Sequence, residues 1–253
     1  MNCLILILLT LNASFGQVNT ENLRRTDISQ GLHNSLEFDF GLVSGNSEYL
    51  NLTSGFRSDL VSGRYYSFGV IQYQRGIQDD EVFINKGFVH LRGIRELTSS
   101  FYGELFVQKE FNDFILLKDR NLIGGGLRIA LLPHGNTTGR SSPIRVYAGI
   151  GTMWENEDIG THPPEETSIF RSTNYASLSW RIDDRVYVGV VSYYQVHLGD
   201  FQDFRVLLES GFGYDVTRSI AFQVSFNLRY DNEPPRDVKK HDLEIKNGLR
   251  FSF

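Results

Sequence analysis

From Leu36 onward, apolar and polar residues alternate along segments of roughly ten residues, the period that places successive side chains on opposite faces of a β-strand. The closing run is the clearest: Leu243, Ile245, Leu249, Phe251 and Phe253 share one parity, and Asp242, Glu244, Lys246, Gly248, Arg250 and Ser252 share the other. At the start, Leu36, Phe38, Phe40 and Leu42 alternate with Glu37, Asp39 and Gly41. A weaker segment follows over Glu48 to Arg57, then one from Tyr65 to Gln74 that is aromatic on both faces. Asn85 to Arg95 sets Val89 and Leu91 against His90 and Arg92.

The pattern continues through the middle of the chain. Phe101, Leu105, Val107 and Phe111 oppose Tyr102, Glu104, Gln108 and Glu110; Ile123, Leu127, Ile129 and Leu131 oppose Gly124, Gly126 and Arg128. Ile144, Val146, Ile150 and Trp154 oppose Arg145, Tyr147, Gly149 and Glu155, and Leu178, Trp180 and Ile182 oppose Arg171, Tyr175 and Arg181. Val186, Val188 and Val190 face away from Tyr187, Tyr193 and His197, and Phe204, Val206, Leu208 and Phe212 from Arg205, Glu209 and Asp215. Phe222 to Tyr230 continues the alternation before the closing run. The total is about twelve strands, an even number as expected of a bacterial single-chain membrane barrel.

Connections refine this count. Glu96-Leu97-Thr98, Asp183-Asp184 and Thr217-Arg218 read as tight periplasmic turns, while Gly76 to Glu81, Asn112 to Asp119, Asn156 to Thr167, Gly199 to Asp203 and Asp231 to His241 read as longer loops on the opposite side. Pro133 to Pro143 breaks the rule by being long where a turn should be short. Either it is a true periplasmic excursion or the strand count is off by two.

The chain ends add a location. Leu4 to Leu11 is almost entirely Leu and Ile, and Ser14 and Gly16 give a small-x-small site, so residues 1–16 read as an export signal cut before Gln17. This apolar run is shorter than the ~20 residues that span a bilayer as a helix. Residues 17–35 are then an N-terminal periplasmic segment and 36–253 the barrel. The single cysteine, Cys3, falls within the signal, which removes disulfides and thiolate metal sites from the mature chain. A net charge of -5 gives no support for nucleic-acid binding. Mean hydropathy is -0.24, a value typical of water-soluble chains. Membrane barrels share it, because half of each strand is polar. The 19 Phe, 12 Tyr and 24 Gly suit membrane strands, with rings at the interfaces and glycine at bends.

Two fold readings share this alternation. In an exported soluble β-barrel binder or sandwich, the Leu/Ile/Val/Phe parity points into a dry core. In an all-β, transmembrane, antiparallel up-and-down barrel ending on a C-terminal Phe, it faces lipid and the charged parity faces a wet lumen. The second reading is the one expected here, in the outer membrane of a Gram-negative bacterium. It brings outer-membrane lipid and the barrel-assembly machinery as partners, with Phe251 and Phe253 as the assembly signal.

Several short stretches point to a family through their order along the chain. Phe88-Val89-His90-Leu91-Arg92 comes first, then Glu104-Leu105-Phe106-Val107-Gln108 with Phe111-Asn112. Arg120 to Arg128 with its Gly124-Gly125-Gly126 follows, then Gly149-Ile150-Gly151 with Trp154-Glu155, and Arg171-Ser172-Thr173-Asn174-Tyr175. Tyr193-Tyr194-Gln195, Asp203-Phe204-Arg205, Tyr230-Asp231, Pro234-Pro235 and Val238-Lys239-Lys240 precede the closing Asn247 to Phe253. This order resembles the salt-induced outer-membrane protein family, domain of unknown function 481, over about Leu36 to Phe253. The resemblance implies an outer-membrane barrel and brings no established activity.

Candidate chemistry is sparse. None of the six histidines, His33, His90, His134, His162, His197 and His241, has metal-motif spacing, so no cofactor or metal is expected. A barrel-embedded lipid hydrolase would need Ser, His and an orienting group converging near the membrane edge. No histidine has outward parity within a strand, and no Gly-x-Ser-x-Gly elbow occurs. Gly124-Gly125-Gly126 lacks a following Lys-Ser/Thr and reads as close strand packing.

The inward parity is the informative surface. It collects Arg128, Arg145, Arg181, Arg205 and Arg229, expected to face Glu104, Glu110, Glu155 and Glu209 as a lumen charge network. Arg92, Arg171, Lys246, Arg250, Glu37, Asp39 and Glu244 share that face. Such a lumen either neutralises itself, since an unpaired confined charge is costly, or lines a narrow path for ions or a small solute. The expected function is therefore that of a non-enzymatic outer-membrane barrel, a narrow channel or an envelope and salt-stress protein.

Overall fold

The computed structural model describes residues 21, 23–25, 28–43, 48–78, 81–132, 143–217, 220–234 and 238–251. The export signal expected at 1–16 and the terminal Phe253 lie outside the described residues. Twelve strands follow one another: β1 (Gly31–Val43), β2 (Tyr49–Ser62), β3 (Tyr65–Gln78), β4 (Glu81–Glu96), β5 (Phe101–Asn112), β6 (Leu117–Ala130), β7 (Ile144–Ile159), β8 (Glu165–Arg181), β9 (Val186–His197), β10 (Asp200–Asp215), β11 (Ile220–Asp231) and β12 (His241–Phe251). Each pairs antiparallel with its sequence neighbour in a single sheet of order β1 through β12. β1 and β12 stand at the two ends of that order, and among the described residues no ladder joins them. The sheet curls far enough that Lys86 on β4 comes within electrostatic reach of Arg229 on β11 and of Glu244 and Lys246 on β12.

Burial is inverted relative to a soluble protein. Outward Leu105 is 72% exposed and Ile150 63%, while inward Glu155 and Arg171 are each 1% exposed. Leu243, Ile245 and Leu249 of β12 are likewise exposed. The apolar parity thus forms the outer surface, which overturns the reading as an exported soluble binder and gives an up-and-down barrel of the membrane type. No described helix is long and apolar enough to cross a membrane.

The outer belt ends in aromatic rings on the side away from the chain termini. Trp154 and Phe170 are direct cross-strand partners, and Trp154 Nε1 donates to Ser168 Oγ at 2.9 Å. Tyr194, Phe204 and Tyr230 continue the row with centroids 5.8 Å apart. Such rings mark a membrane interface. Beyond them the outward face turns polar, as in Asn156 and Asp158 of β7, and Lys109 Nζ meets Asp119 Oδ1 at 2.6 Å on the outside. Strands reach 17 residues in β8, whereas about 9–11 tilted residues cross a bilayer. The excess is a collar standing above the interface.

The collar corrects the loop reading. The expected loop Gly76 to Glu81 shrinks to 79–80, Asn156 to Thr167 to 160–164, and Gly199 to Asp203 to 198–199. Polar residues on both faces made these stretches resemble loops, although the ladders run through them. The turns expected at Glu96-Leu97-Thr98 and Asp183-Asp184 fall in the connections 97–100 and 182–185 on the terminus side. β6 ends at Ala130 and β7 begins at Ile144 on that side too, so the strand count needs no revision; residues 133–142 of the expected excursion lie outside the described residues. β1 begins at Gly31 rather than Leu36, which places 31–35 of the segment read as periplasmic within the sheet.

One pair of glycines fixes how closely two strands approach. Gly126 and Gly151 are direct partners on β6 and β7. A Cβ on Gly126 would collide with the Ile150 carbonyl oxygen, and one on Gly151 would lie 2.5 Å from the Gly125 carbonyl oxygen. Both obstacles are backbone, so neither can swing aside. Gly126→Ala is expected to cost about 1–3 kcal/mol through forced strand separation, read as a lower urea midpoint in lipid vesicles. Gly189→Ala, whose Cβ would meet nothing within 4 Å, serves as the control and should stay within about 0.5 kcal/mol.

Candidate functional site

The lumen holds most of the buried charge, in two clusters. The first lies toward the collar. Arg120, Glu110 and Glu157 form one row across β5, β6 and β7, because Arg120 is the direct partner of both carboxylates. Arg120 Nε donates to Glu157 Oε1 at 2.5 Å, and a second guanidinium nitrogen pairs with Glu110. Arg205 on β10 donates to Glu155 Oε2 at 3.0 Å and Glu157 Oε1 at 3.1 Å, and its Nε to Asp231 Oδ2 at 2.9 Å. Arg171 on β8 donates to Glu155 Oε1 at 3.1 Å and grips Asp203 with two nitrogens at 2.8 and 2.9 Å.

The lattice extends sideways through neutral groups. Gln108 donates to Glu110 Oε2 at 2.7 Å and lies 3.0 Å from His90 Nδ1. Strand periodicity explains the assembly: Glu155 and Glu157, like Gln108 and Glu110, sit two residues apart and share the inner face. Removed from water, these groups are held by mutual hydrogen bonds that satisfy several lone pairs at once, the condition under which buried ion pairs persist. The spaces beside them are small, about 30 Å³ between Arg92, Gln108 and Arg205 and about 80 Å³ at the collar mouth.

The second cluster lies toward the terminus side and includes residues from before β1. Glu21 pairs with Arg128 and lies 4.0 Å from Arg92 Nη1. Arg92 Nη1 also meets Glu104 Oε2 at 3.2 Å, and Arg24 pairs with Glu104 and, at 3.3 Å, with Glu21. The Arg128 guanidinium packs on the Tyr147 ring at 3.7 Å and lies 5.8 Å from that of Tyr175. Tyr175 itself lies flat on Gly149, where any Cβ would strike the ring. Burial opposes the Arg24 charge, but Glu21 and Glu104 outweigh it and hold the Arg24 pKa above its ordinary value. Leu23 packs on Phe68, Val70 and Ile94, and Arg25 meets Asp59 at 3.3 Å. Residues 21 and 23–25 are thus folded against the inner wall.

Beside this cluster a chamber of about 930 Å³ is lined by Arg145, Arg181, Tyr187, Glu209, Ser225 and Asn227. Gly189 and Gly211 are direct partners in its wall, and a Cβ at either would meet nothing within 4 Å.

The charged residues expected from parity separate by location. Arg205 meets Glu155, and Arg229 lies 3.7 Å from Glu209. Arg128 meets Glu21 rather than one of the four expected glutamates, Glu104 meets Arg92 and Arg24, and Glu110 meets Arg120. Arg145 and Arg181 line the chamber. Parity arguments missed Arg120, Glu157, Asp203 and Asp231, all within or beside stretches read as loops, and missed Glu21 and Arg24 before the first strand. Phe251 ends β12. Among the described residues no group of His, Cys, Asp and Glu side chains could hold a metal ion.

No curated protein sequence matches the chain. Among solved structures it is similar to the NanC porin in a rhombohedral crystal form, at 7% identity over 80% of this chain and 94% of that one, with a TM-score of 0.49. It is also similar to in-vitro folded OmpT, an outer membrane protein of Vibrio cholerae, at 10% identity over 87% and 95% of the two chains, with a TM-score of 0.26. The family comparison is the more specific one: residues 36–253 match the family described as protein of unknown function, DUF481, and the chain belongs to that family.

Proposed function

We propose that this protein is a non-enzymatic outer-membrane barrel of the bacterial envelope, closed to free diffusion by its own ion-pair lattice. The observation that carries this reading is the joining of Arg120, Arg171 and Arg205 to Glu110, Glu155, Glu157, Asp203 and Asp231 across β5 to β11. Opposite charges along the same path cancel, so any residual leak of ions has little selectivity. Apolar clusters on the inner face, Phe68, Val70 and Ile94 on one side and Val191, Tyr193 and Leu207 on the other, narrow the space further. A lipid hydrolase is disfavoured: His90 sits on the inner face beside Gln108, and His197 lies 3.6 Å from Asp203, also inside.

Purified protein in planar bilayers tests the proposal. Insertion should produce only small, weakly selective currents. Stable single-channel steps of the size shown by open general porins would overturn it.

A further inference from the structure

Glu21 occupies its position as a ligand would. It comes from a stretch outside the sheet, whose described backbone hydrogen bonds are the Arg24 N–H to the Glu21 carbonyl at 3.0 Å and the Arg25 N–H to Tyr66 Oη at 3.2 Å. Its carboxylate nevertheless lies deep in the wall, beside two arginines that other strands hold in place. Arg128 is fixed against Tyr147, and Arg92 packs over the Phe106 ring at 5.2 Å. These supports come from β5 and β7 and do not depend on the N-terminal segment. Among the described residues Glu21 is the only ion-pair partner of Arg128. Among the described residues the strands bring Glu104 against Arg92 and no carboxylate into an ion pair with Arg128, so Glu21 supplies the anion that Arg128 meets.

We infer that Arg92 and Arg128, braced by the Phe106, Tyr147 and Tyr175 rings, form a carboxylate-binding site of the lumen wall. The chain's own Glu21 fills it as a displaceable internal ligand. The chemical class recognised is a small carboxylate. Arginine suits it because a planar fork meets two carboxylate oxygens, and a site held rigid before binding loses little freedom on binding. The body of the solute has room nearby. Val191 and Tyr193 pack with Tyr175, and Val191 also lines the 930 Å³ chamber on the terminus side. Because Glu21 is tethered, its effective concentration is in the millimolar range or above, so a free carboxylate competes only when abundant or when it adds contacts in the chamber.

Chemical rescue tests this, and it reads stability rather than current, so its outcome is independent of whether the barrel conducts. Glu21→Ala in the full chain should lower the unfolding temperature by several degrees. Sodium acetate should restore at least half of that loss, sodium chloride at equal ionic strength should not, and the wild type should respond equally to both. Adding Arg128→Ala should abolish the rescue. A second measurement needs no variant. Trypsin cleavage of the wild type after Arg24 or Arg25, followed by mass spectrometry, should be faster in acetate than in chloride. Equal effects of acetate and chloride on the variant would overturn the inference. If the variant does not assemble, equal cleavage rates of the wild type in the two salts would do so.

Discussion

Arg205→Ala is expected to destabilise the barrel by about 3–5 kcal/mol, the usual consequence of removing one member of a buried ion pair. Arg205 is the junction of the lattice, joining Glu155, Glu157 and Asp231. Its loss leaves Arg171 on Glu155 and Arg120 on Glu157, each already committed to a second carboxylate. Asp231 loses its charged partner altogether among the described residues. Urea unfolding in lipid vesicles measures the effect, and bilayer currents from the same variant should rise if the lattice closes the lumen as proposed. A loss below about 1 kcal/mol would place these charges with surface pairs, which contribute little.

Ile123→Arg should cost about 1–2 kcal/mol by a different route, the exposure of a charge to lipid just inside the interface marked by its partner Trp154, a depth between the midplane (~2–4 kcal/mol) and the interface (~0–1 kcal/mol). Ile123 lies in the middle of β6 on the outer face and is 56% exposed. Its neighbours in the sheet, Val107 and Trp154, are outward and apolar or aromatic. Lys109, also outward but in the collar, provides the comparison: Lys109→Ala removes an exposed pair with Asp119 and should change stability by less than about 1 kcal/mol. Both are read from the same vesicle unfolding curves. Equal tolerance of the two changes would mean that lipid does not reach Ile123.

The contrast between Ile123 and Lys109 also explains what could be read from the sequence. Alternation is enforced only where one face meets lipid and the other water, so β7 is plain from Ile144 to Trp154. Past Trp154 both faces are wet, and Asn156, Glu157 and Asp158 follow without contrast although the ladder continues to Ile159. That is why Glu157, and by the same reasoning Arg120 across the row from it, passed for loop residues. The faces of Arg128, Glu155, Arg205 and Glu209 were legible because Arg128 and Glu209 lie within the lipid-facing stretch and Glu155 and Arg205 directly border it. Their partners were not, since parity gives a face but no distance along the barrel axis. Glu21 was beyond reach for another reason: it meets Arg128 at a separation of 107 residues, from a stretch with no periodicity at all.

Neighbour-only pairing would give the lattice a chronology if strands are added in chain order. Glu110, Arg120 and Glu157 come together once β7 joins β6, Arg171 reaches Glu155 when β8 arrives, and Arg205 enters with β10. A sheet halted before β10 therefore carries carboxylates short of cations, a state that favours water over hydrocarbon. A slip of one residue in any ladder would turn a whole row of these charges toward lipid. The ion pairs that fill the finished lumen would thus disfavour the membrane insertion of partial or misregistered sheets until the strand carrying Arg205 is in place.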